Sequence, residues 1–381
     1  LSERPPDEEE ASMFSLEPSE EQRMIRETAR SFAAERMRPV ARACDEKGEI
    51  LGDLLEAAWE LGLVSAAIPE AYGGAGMERS AVTGALVMEE LGWGDLSIAM
   101  AMMAPALFAY PLLSDGTEEQ KQKYLPLVCG GSPARLTAAL VEPVLQFDAS
   151  SLAATAALRG GRYVLSGKKC FVPLGGSADV FLVYAALEGR PGYEHVGGFI
   201  VERGKKGLAI GQRERNMGLK ALDTVELECD QVEVGEEAVL GGAKGCEFAR
   251  IMSYSRVALC ALAIGVARAA NEYARDYAKE RIAFGEPIAH KQAISFMIAE
   301  DYMDIEAARL LTWEAAWRLD TGRDAFKEAY LAKLFTDQMV VKATDNAVQT
   351  LGGHGYIREH PVELWLRNGR GFSAFEGMAT V

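Results

Sequence analysis

The hydrophobic period of this 381-residue chain changes twice along its length, and that change constrains its fold more than any single motif. Apolar side chains first recur every three to four positions, the spacing of one helix face. A stretch follows of short apolar runs separated by glycines, many with the two-residue alternation of strands. Helical spacing then returns and dominates to the end. The order α, β, α predicts an α+β protein. An N-terminal helical domain is expected over 16–130, a middle antiparallel β barrel or sandwich over 131–241, and a C-terminal helical bundle over 242–381. Residues 1–15, acidic and proline-bearing, read as a disordered lead.

Local signals refine this order. Ser19 can cap a helix, and Gln22 three residues later completes a capping box. Met24, Ile25, Thr28, Ala29 and Phe32 then follow at helical spacing. Further helices are expected over Leu51 to Leu61, Ser80 to Gly92, Ser97 to Leu113 and Glu118 to Leu127. Strands are expected over Arg135 to Val141, Leu152 to Leu158, Arg162 to Ser166, Val180 to Ala186, Gly198 to Val201 and Thr224 to Cys229. Three long helices should run from Ala249 to Glu280, Lys291 to Leu319 and Asp324 to Thr350. On the second of these, Ile294, Ile298, Ile305, Ala308 and Ala315 form a stripe that must meet other helices. Three such helices make a bundle once a fourth comes from this domain or from a neighbouring chain, and their two apolar faces favour an oligomer.

Composition narrows the function. A formal net charge of −16 argues against a general nucleic-acid or anionic-membrane surface. Pro105 breaks the apolar stretch Ile98 to Leu113, which lacks the length of a membrane span. The six cysteines are scattered with no CxxC pair, so free thiols in a reducing compartment are expected, Cys44 among them in a charged, exposed stretch. The start resembles neither a signal nor a transit peptide, and a cytoplasmic location follows by default. Four histidines, at 195, 290, 354 and 360, form no HExxH and pair with no cysteine, so no metal site is expected. GxSxG and the P-loop are both missing, as is the strand, GxGxxG and helix context of a dinucleotide fold. Glycines in Leu351-Gly352-Gly353-His354-Gly355-Tyr356 either bring backbone amides to a phosphate or make a tight turn. Glu376 could serve as a general base if desolvated. From composition alone it is a surface glutamate, and Arg256 and Arg281 are solvated helix arginines.

Longer motifs, taken in order, carry more. Ile68-Pro69-Glu70-Ala71-Tyr72-Gly73-Gly74-Ala75-Gly76 precedes Glu89-Glu90-Leu91-Gly92, then Gly116-Thr117-Glu118-Glu119-Gln120 and Lys123-Tyr124-Leu125-Pro126. Arg281-Ile282-Ala283-Phe284-Gly285-Glu286-Pro287-Ile288 is followed by Gln292. Gln349-Thr350-Leu351-Gly352-Gly353-His354-Gly355-Tyr356 leads to Pro361-Val362-Glu363 and Arg367. From about Pro18 to Met378 this series resembles the acyl-CoA dehydrogenase family.

The resemblance implies FAD-dependent α,β-dehydrogenation of an acyl-CoA to the trans-2-enoyl-CoA, in a homotetramer or related dimer, with electrons passing to an electron-transfer flavoprotein. It makes Glu376 the carboxylate that removes the α-proton, on the face opposite the flavin. Arg256, Phe375 and Gly377 fall at substrate-binding positions. Arg281, Phe284 and Gln292 resemble residues that hold the FAD adenylate and pyrophosphate across a subunit interface, and Gln349 and Gly353 a segment closing on the cofactor from the partner chain. Trp93, Met100, Met102 and Met103 are candidates for the acyl wall, with ordinary core packing as the alternative.

The sequence also departs from the family where the flavin ring and its phosphates are held. Thr-Glu-Pro-Gly-x-Gly-Ser-Asp is replaced by Val141-Glu142-Pro143-Val144-Leu145-Gln146-Phe147-Asp148, and Lys-x-Trp-Ile-Thr-Asn-Gly by Lys169-Cys170-Phe171-Val172-Pro173-Leu174-Gly175. Val141 and Phe147 therefore bring no hydroxyl. Phe171 can still stack near an isoalloxazine, while Pro173 brings neither a hydroxyl nor an N–H. Met378 stands where threonine is usual, and Asn368 where aspartate is usual. Two alternatives follow: a flavin-poor subunit of a hetero-oligomer with a typical homologue, or an enzyme using Glu376 for non-redox proton abstraction. Five residues follow Glu376, which leaves open a further C-terminal tail completing the site.

Overall fold

The computed structural model describes residues 17–381, so the expected lead over 1–15 lies outside the described residues. Helix α1, Glu20–Phe32, begins with the anticipated box: Ser19 Oγ accepts from Gln22 N–H at 3.1 Å, and Gln22 Oε1 accepts from Ser19 N–H at 2.9 Å. Short helices α2 (Ala41–Lys47) and α3 (Leu54–Glu60) follow. Helix α4, Ala81–Gly94, is capped by Ser80. The single helix expected over 97–113 is two, α5 (Leu96–Met103) and α6 (Ala106–Asp115), bent by 41° where Pro105 denies the ladder an N–H. Helix α7, Glu118–Tyr124, has its own capping box from Thr117 and Gln120.

Seven strands make one sheet: β1 Leu136–Ala139, β2 Thr155–Arg159, β3 Arg162–Pro173, β4 Val180–Leu187, β5 Val196–Glu202, β6 Leu208–Arg213 and β7 Thr224–Val234. Their order is β1-β4-β2-β3-β7-β6, with β5 on β4. The expected all-antiparallel arrangement needs correction. β1 pairs parallel with β4 (Leu136↔Val180), and so does β2 (Thr155↔Ala186). β1 enters from the helical layer in the same direction as β4, and all four of its residues are buried. β6 escaped the sequence reading because its apolar alternation is only Leu208 and Ile210, both half-buried, before a glycine and exposed polar residues.

Helix α8, Phe248–Glu280, is the central element. By length and composition it could cross a bilayer, yet most of its apolar stretch is buried in the protein, as expected of a core helix. A hairpin of β8 (Ile282–Ala283) and β9 (Glu286–Pro287) leads to α9, Gln292–Asp320, and α10, Phe326–Leu351. The short α11, Gly353–Tyr356, and α12, Val362–Gly369, complete the chain's helices. The fourth member of the bundle is α4, which packs on α8 and α9. It approaches α8 closely because a Cβ on Gly92 would meet the Leu262 carbonyl oxygen at 2.5 Å, and one on Gly265 the Glu89 carbonyl oxygen at 2.2 Å. Of the expected α9 stripe, Ile305, Ala308 and Ala315 are buried, whereas Ile294 and Ile298 are partly exposed at the start of the helix.

The motif pair Glu89-Glu90 locks this crossing. Arg268 Nη1 of α8 donates to Glu89 Oε1 at 2.8 Å and also binds Glu90. Arg309 Nε of α9 reaches Glu89 at 2.9 Å, and Arg26 Nε of α1 reaches Glu90 at 2.8 Å. All six cysteines are free, but Cys44 is fully buried, not exposed: the inward face of α2 carries it and the neighbouring Asp45 into the protein, while Glu46 and Lys47 turn outward.

Candidate active site

Three parts of the chain surround one cavity of about 820 Å³: the loop after β1, the base of α8 with one face of α10, and the segment ending at Glu376. That volume suits a small-molecule site. The β-side wall is held by a buried ion pair. Lys169 Nζ lies 2.7 Å from Glu142 Oε1 and donates to the Leu140 carbonyl at 3.0 Å, while Glu142 accepts from Ala153 and Ala154 N–H at 2.6 and 2.9 Å. Burial pulls the Lys169 ammonium below its ordinary range, against the opposing pull of Glu142. This clamp fixes Val141, whose carbonyl accepts from Cys170 N–H at 2.8 Å. Burial raises the Cys170 thiol to about 12, so it stays protonated.

Phe171 sits in the left-handed region at φ +52°, at a register shift between Lys169 and Val172, and its N–H donates to both Glu214 oxygens at 3.1 Å. The bulge turns its ring into the cavity. Gln146, at φ +55°, occupies a left-handed position in the loop where the family has glycine. Phe147 lines the cavity and packs on the core.

Opposite, Arg256 Nε lies 3.5 Å from Glu376 Oε1. The guanidinium donates to Tyr193 OH at 3.0 Å and lies 5.3 Å from the Phe326 ring centre and 5.2 Å from that of Tyr330. Burial disfavours its charge, but Glu376 and Tyr193 outweigh that and raise its pKa. Arg256 Nε and Nη1 and Glu376 Oε2 are buried without a hydrogen-bond partner. Native interiors seldom tolerate such groups, so the site is built for a polar ligand. Gly377 makes the turn after Glu376 at φ +65°, where a Cβ would meet Leu140 Cδ2 at 2.4 Å.

The cavity thus gathers Glu376, Arg256, Val141, Phe147 and Phe171. Phe375 is buried against Phe372, and Pro173 and Met378 are buried without lining the cavity. Arg281, Phe284, Gln292, Gln349 and Gly353 are exposed and lie outside it, Phe284 at 96% exposure. Trp93 and Met100 do not line it either, and Met102 and Met103 border smaller cavities among the N-terminal helices. Trp93 instead stacks under Arg38 and donates to Glu272 at 2.9 Å. Sequence alone does not single out Tyr193, Lys333, Asp337 or Glu214. Only the i, i+4 charge pair of Lys333 and Asp337 on an otherwise apolar helix face offered a signal.

A carboxylate 3.5 Å from a guanidinium that keeps two nitrogens without a hydrogen-bond partner, beside an aromatic-lined cavity on an α-β-α scaffold, marks an enzyme that acts on a small polar ligand. Family models agree: the N-terminal domain of acyl-CoA dehydrogenase matches residues 19–132, the middle domain 137–232 and the C-terminal domain 247–381. The chain belongs to the acyl-CoA dehydrogenase family, oxidoreductases that use FAD. It is 37% identical over 362 residues to an acyl-CoA dehydrogenase of Bacillus subtilis (strain 168), covering 94% of this chain and 95% of that protein. It is 35% identical to a cyclohex-1-ene-1-carbonyl-CoA dehydrogenase of Geobacter metallireducens, covering 92% and 93%. Among solved structures, butyryl-CoA dehydrogenase from Megasphaera elsdenii superposes with a TM-score of 0.85 at 32% identity, covering 96% of each chain.

Proposed function

We propose that this protein oxidises an acyl-CoA to the 2-enoyl-CoA with FAD, using Glu376 as the base. The observation that carries the reading is the half-buried Glu376 beside the buried Arg256, with unpartnered donors and acceptor, in the cavity that Val141 and Phe171 also line. These orphaned groups and the aromatic walls fit an acyl thioester lying against the reactive end of the cofactor. Val141 and Phe171 would flank the flavin, and Arg281, Phe284, Gln292, Gln349 and Gly353 would reach the adenylate of a partner's cofactor in an oligomer. FAD, when bound, supplies the hydride acceptor. The protein's own residues do the remaining work. Glu376 takes the α-proton, Arg256 orients its carboxylate, and the apolar walls exclude water, so that the charge developing on the thioester is stabilised in a low-dielectric setting. An electron-transfer flavoprotein as acceptor and a cytoplasmic setting complete the reading.

The decisive experiment is an absorbance spectrum of the purified protein with flavin quantified after denaturation, followed by bleaching with a straight-chain acyl-CoA series. Near one FAD per chain and bleaching by at least one member of the series are expected. Glu376→Gln should slow bleaching by about 10³-fold or more while leaving the spectrum intact. Flavin that stays oxidised with every member of the series would sink the reading.

A second reading is favoured by Phe147 and Pro173, which put an apolar ring and an imino acid where the family uses hydroxyls. In it the chain is a flavin-poor subunit paired with a typical homologue, or uses Glu376 for proton abstraction without oxidation. Under this reading the combined replacements Val141→Thr, Phe147→Ser and Pro173→Thr raise flavin content from a low starting value. A full complement of FAD in the unaltered chain would exclude it.

A further inference from the structure

Two charged groups in the cavity have no part in the reaction as described. Lys333 is only 5% exposed, and its ammonium is fully used: it donates to Asp337 Oδ1 and Oδ2 at 2.9 and 2.7 Å and to the Phe372 carbonyl at 2.8 Å. Phe372 opens the short turn that delivers Glu376. That turn is otherwise held by local backbone bonds such as Phe375 N–H to the Phe372 carbonyl at 3.1 Å. Burying an ammonium and a carboxylate costs several kcal/mol that their attraction only partly returns, so the pair is poorly explained as a stabilising device.

We propose that Lys333 and Asp337 form a strut that positions the base: Asp337 holds Lys333, Lys333 grips the Phe372 carbonyl, and the grip fixes Glu376 opposite Arg256. The inference rests on the reading of Glu376 as proton acceptor. Lys333 and Asp337 are positioning residues, since the contact with the reacting atoms is made by Glu376. Asp337 pairs with Lys333 on its own helix and shares the cavity wall with Glu376 of the C-terminal segment, Arg256 of α8, and Glu142 and Asp148 of the loop after β1, while the buried Cys260 of α8 lies within reach of both charges. Burial lifts the Asp337 carboxyl to about 6, Lys333 opposes that rise, and Glu376 adds to it.

Hydrogen–deuterium exchange on the full chain tests the strut without a substrate. Lys333→Met should accelerate amides 372–378 by about tenfold while leaving α8 and the sheet unchanged, and Lys333→Arg should restore protection. In the reconstituted holoenzyme, bleaching by the fastest acyl-CoA of a C4–C16 series should slow about tenfold in Lys333→Met at an unchanged half-saturating concentration, and Lys333→Arg should restore the rate. Unchanged exchange over 372–378, acceleration spread over the whole chain, or a raised half-saturating concentration at an unchanged limiting rate would overturn the proposal. Normal bleaching by Glu376→Gln would instead remove the base assignment, while the exchange arm would still decide the strut.

Discussion

Glu142 and Lys169 have side chains only 1% exposed, and between them they anchor the loop that carries Val141 and Phe147. Breaking one partner leaves a buried charge without compensation, so Lys169→Met should lower stability by about 3–5 kcal/mol in urea unfolding. Replacing both, Glu142→Leu with Lys169→Met, should recover most of that loss, because no bare ion remains. Both residues sit in motifs that the sequence displays, yet their pairing across 27 positions is visible only once β3 folds back beside the loop. Asn368 shows the same gap between identity and role. Its Oδ1 accepts from Leu219 N–H at 2.9 Å, a bond from α12 to the β domain that its departure from the usual aspartate did not reveal.

At the scale of elements, Asp95 joins α4 to α5. It caps α5 by accepting from Ile98 N–H at 3.0 Å, and it is buried. Burial lifts its carboxyl from 3.8 to about 7, the Ile98 bond opposes the rise, and Asp45 adds to it. The folded pKa lies above the unfolded one, so the contribution to stability is complete below about pH 4 and is lost as pH rises through about 7. Asp95→Asn keeps an acceptor for the cap and removes the ionisation. Relative to the unaltered chain, it should therefore gain stability between pH 4 and pH 8, on the order of 2–4 kcal/mol by urea unfolding. A difference independent of pH would contradict this assignment. Most elements were legible in the sequence because caps and periods are local: the Ser19 box and the three long helices stand where those signals placed them. β6 was not, since its apolar alternation is confined to Leu208 and Ile210 and the rest of the strand is exposed.

At the scale of the molecule, α9 and α10 turn an apolar face outward, with Phe296, Tyr302, Met303, Leu310, Leu331 and Leu334 exposed. A patch of this kind favours association, and the exposed Arg281, Phe284, Gln292 and Gln349 belong to the same C-terminal half. Pairing Met303→Glu with Leu310→Glu should shift the protein toward monomer in light scattering. Flavin per chain should fall with it, because the adenylate would lose the partner's residues. Retention of flavin in a monomer would show that one chain suffices for the cofactor. A partly buried network of Asp45, Arg367, Glu363 and Arg42 ties α2 to α12, with Arg367 Nη2 2.8 Å from Asp45 and Nε 2.7 Å from Glu363. An early helix and the last one are thereby held together.

By itself the sequence determined the α, β, α order, most of the helices and strands, and the family, since periodicity, caps and ordered motifs are written in neighbouring residues. It also pointed to Glu376 and Arg256 one at a time. Only the tertiary structure decided that they face each other across 3.5 Å, that α4 completes the bundle, that β1 and β2 run parallel to β4, and that Lys333 donates to the Phe372 carbonyl in the turn before Glu376. Each of these depends on contacts between residues far apart in the chain, whose partners are chosen by burial and charge in three dimensions and leave no local trace.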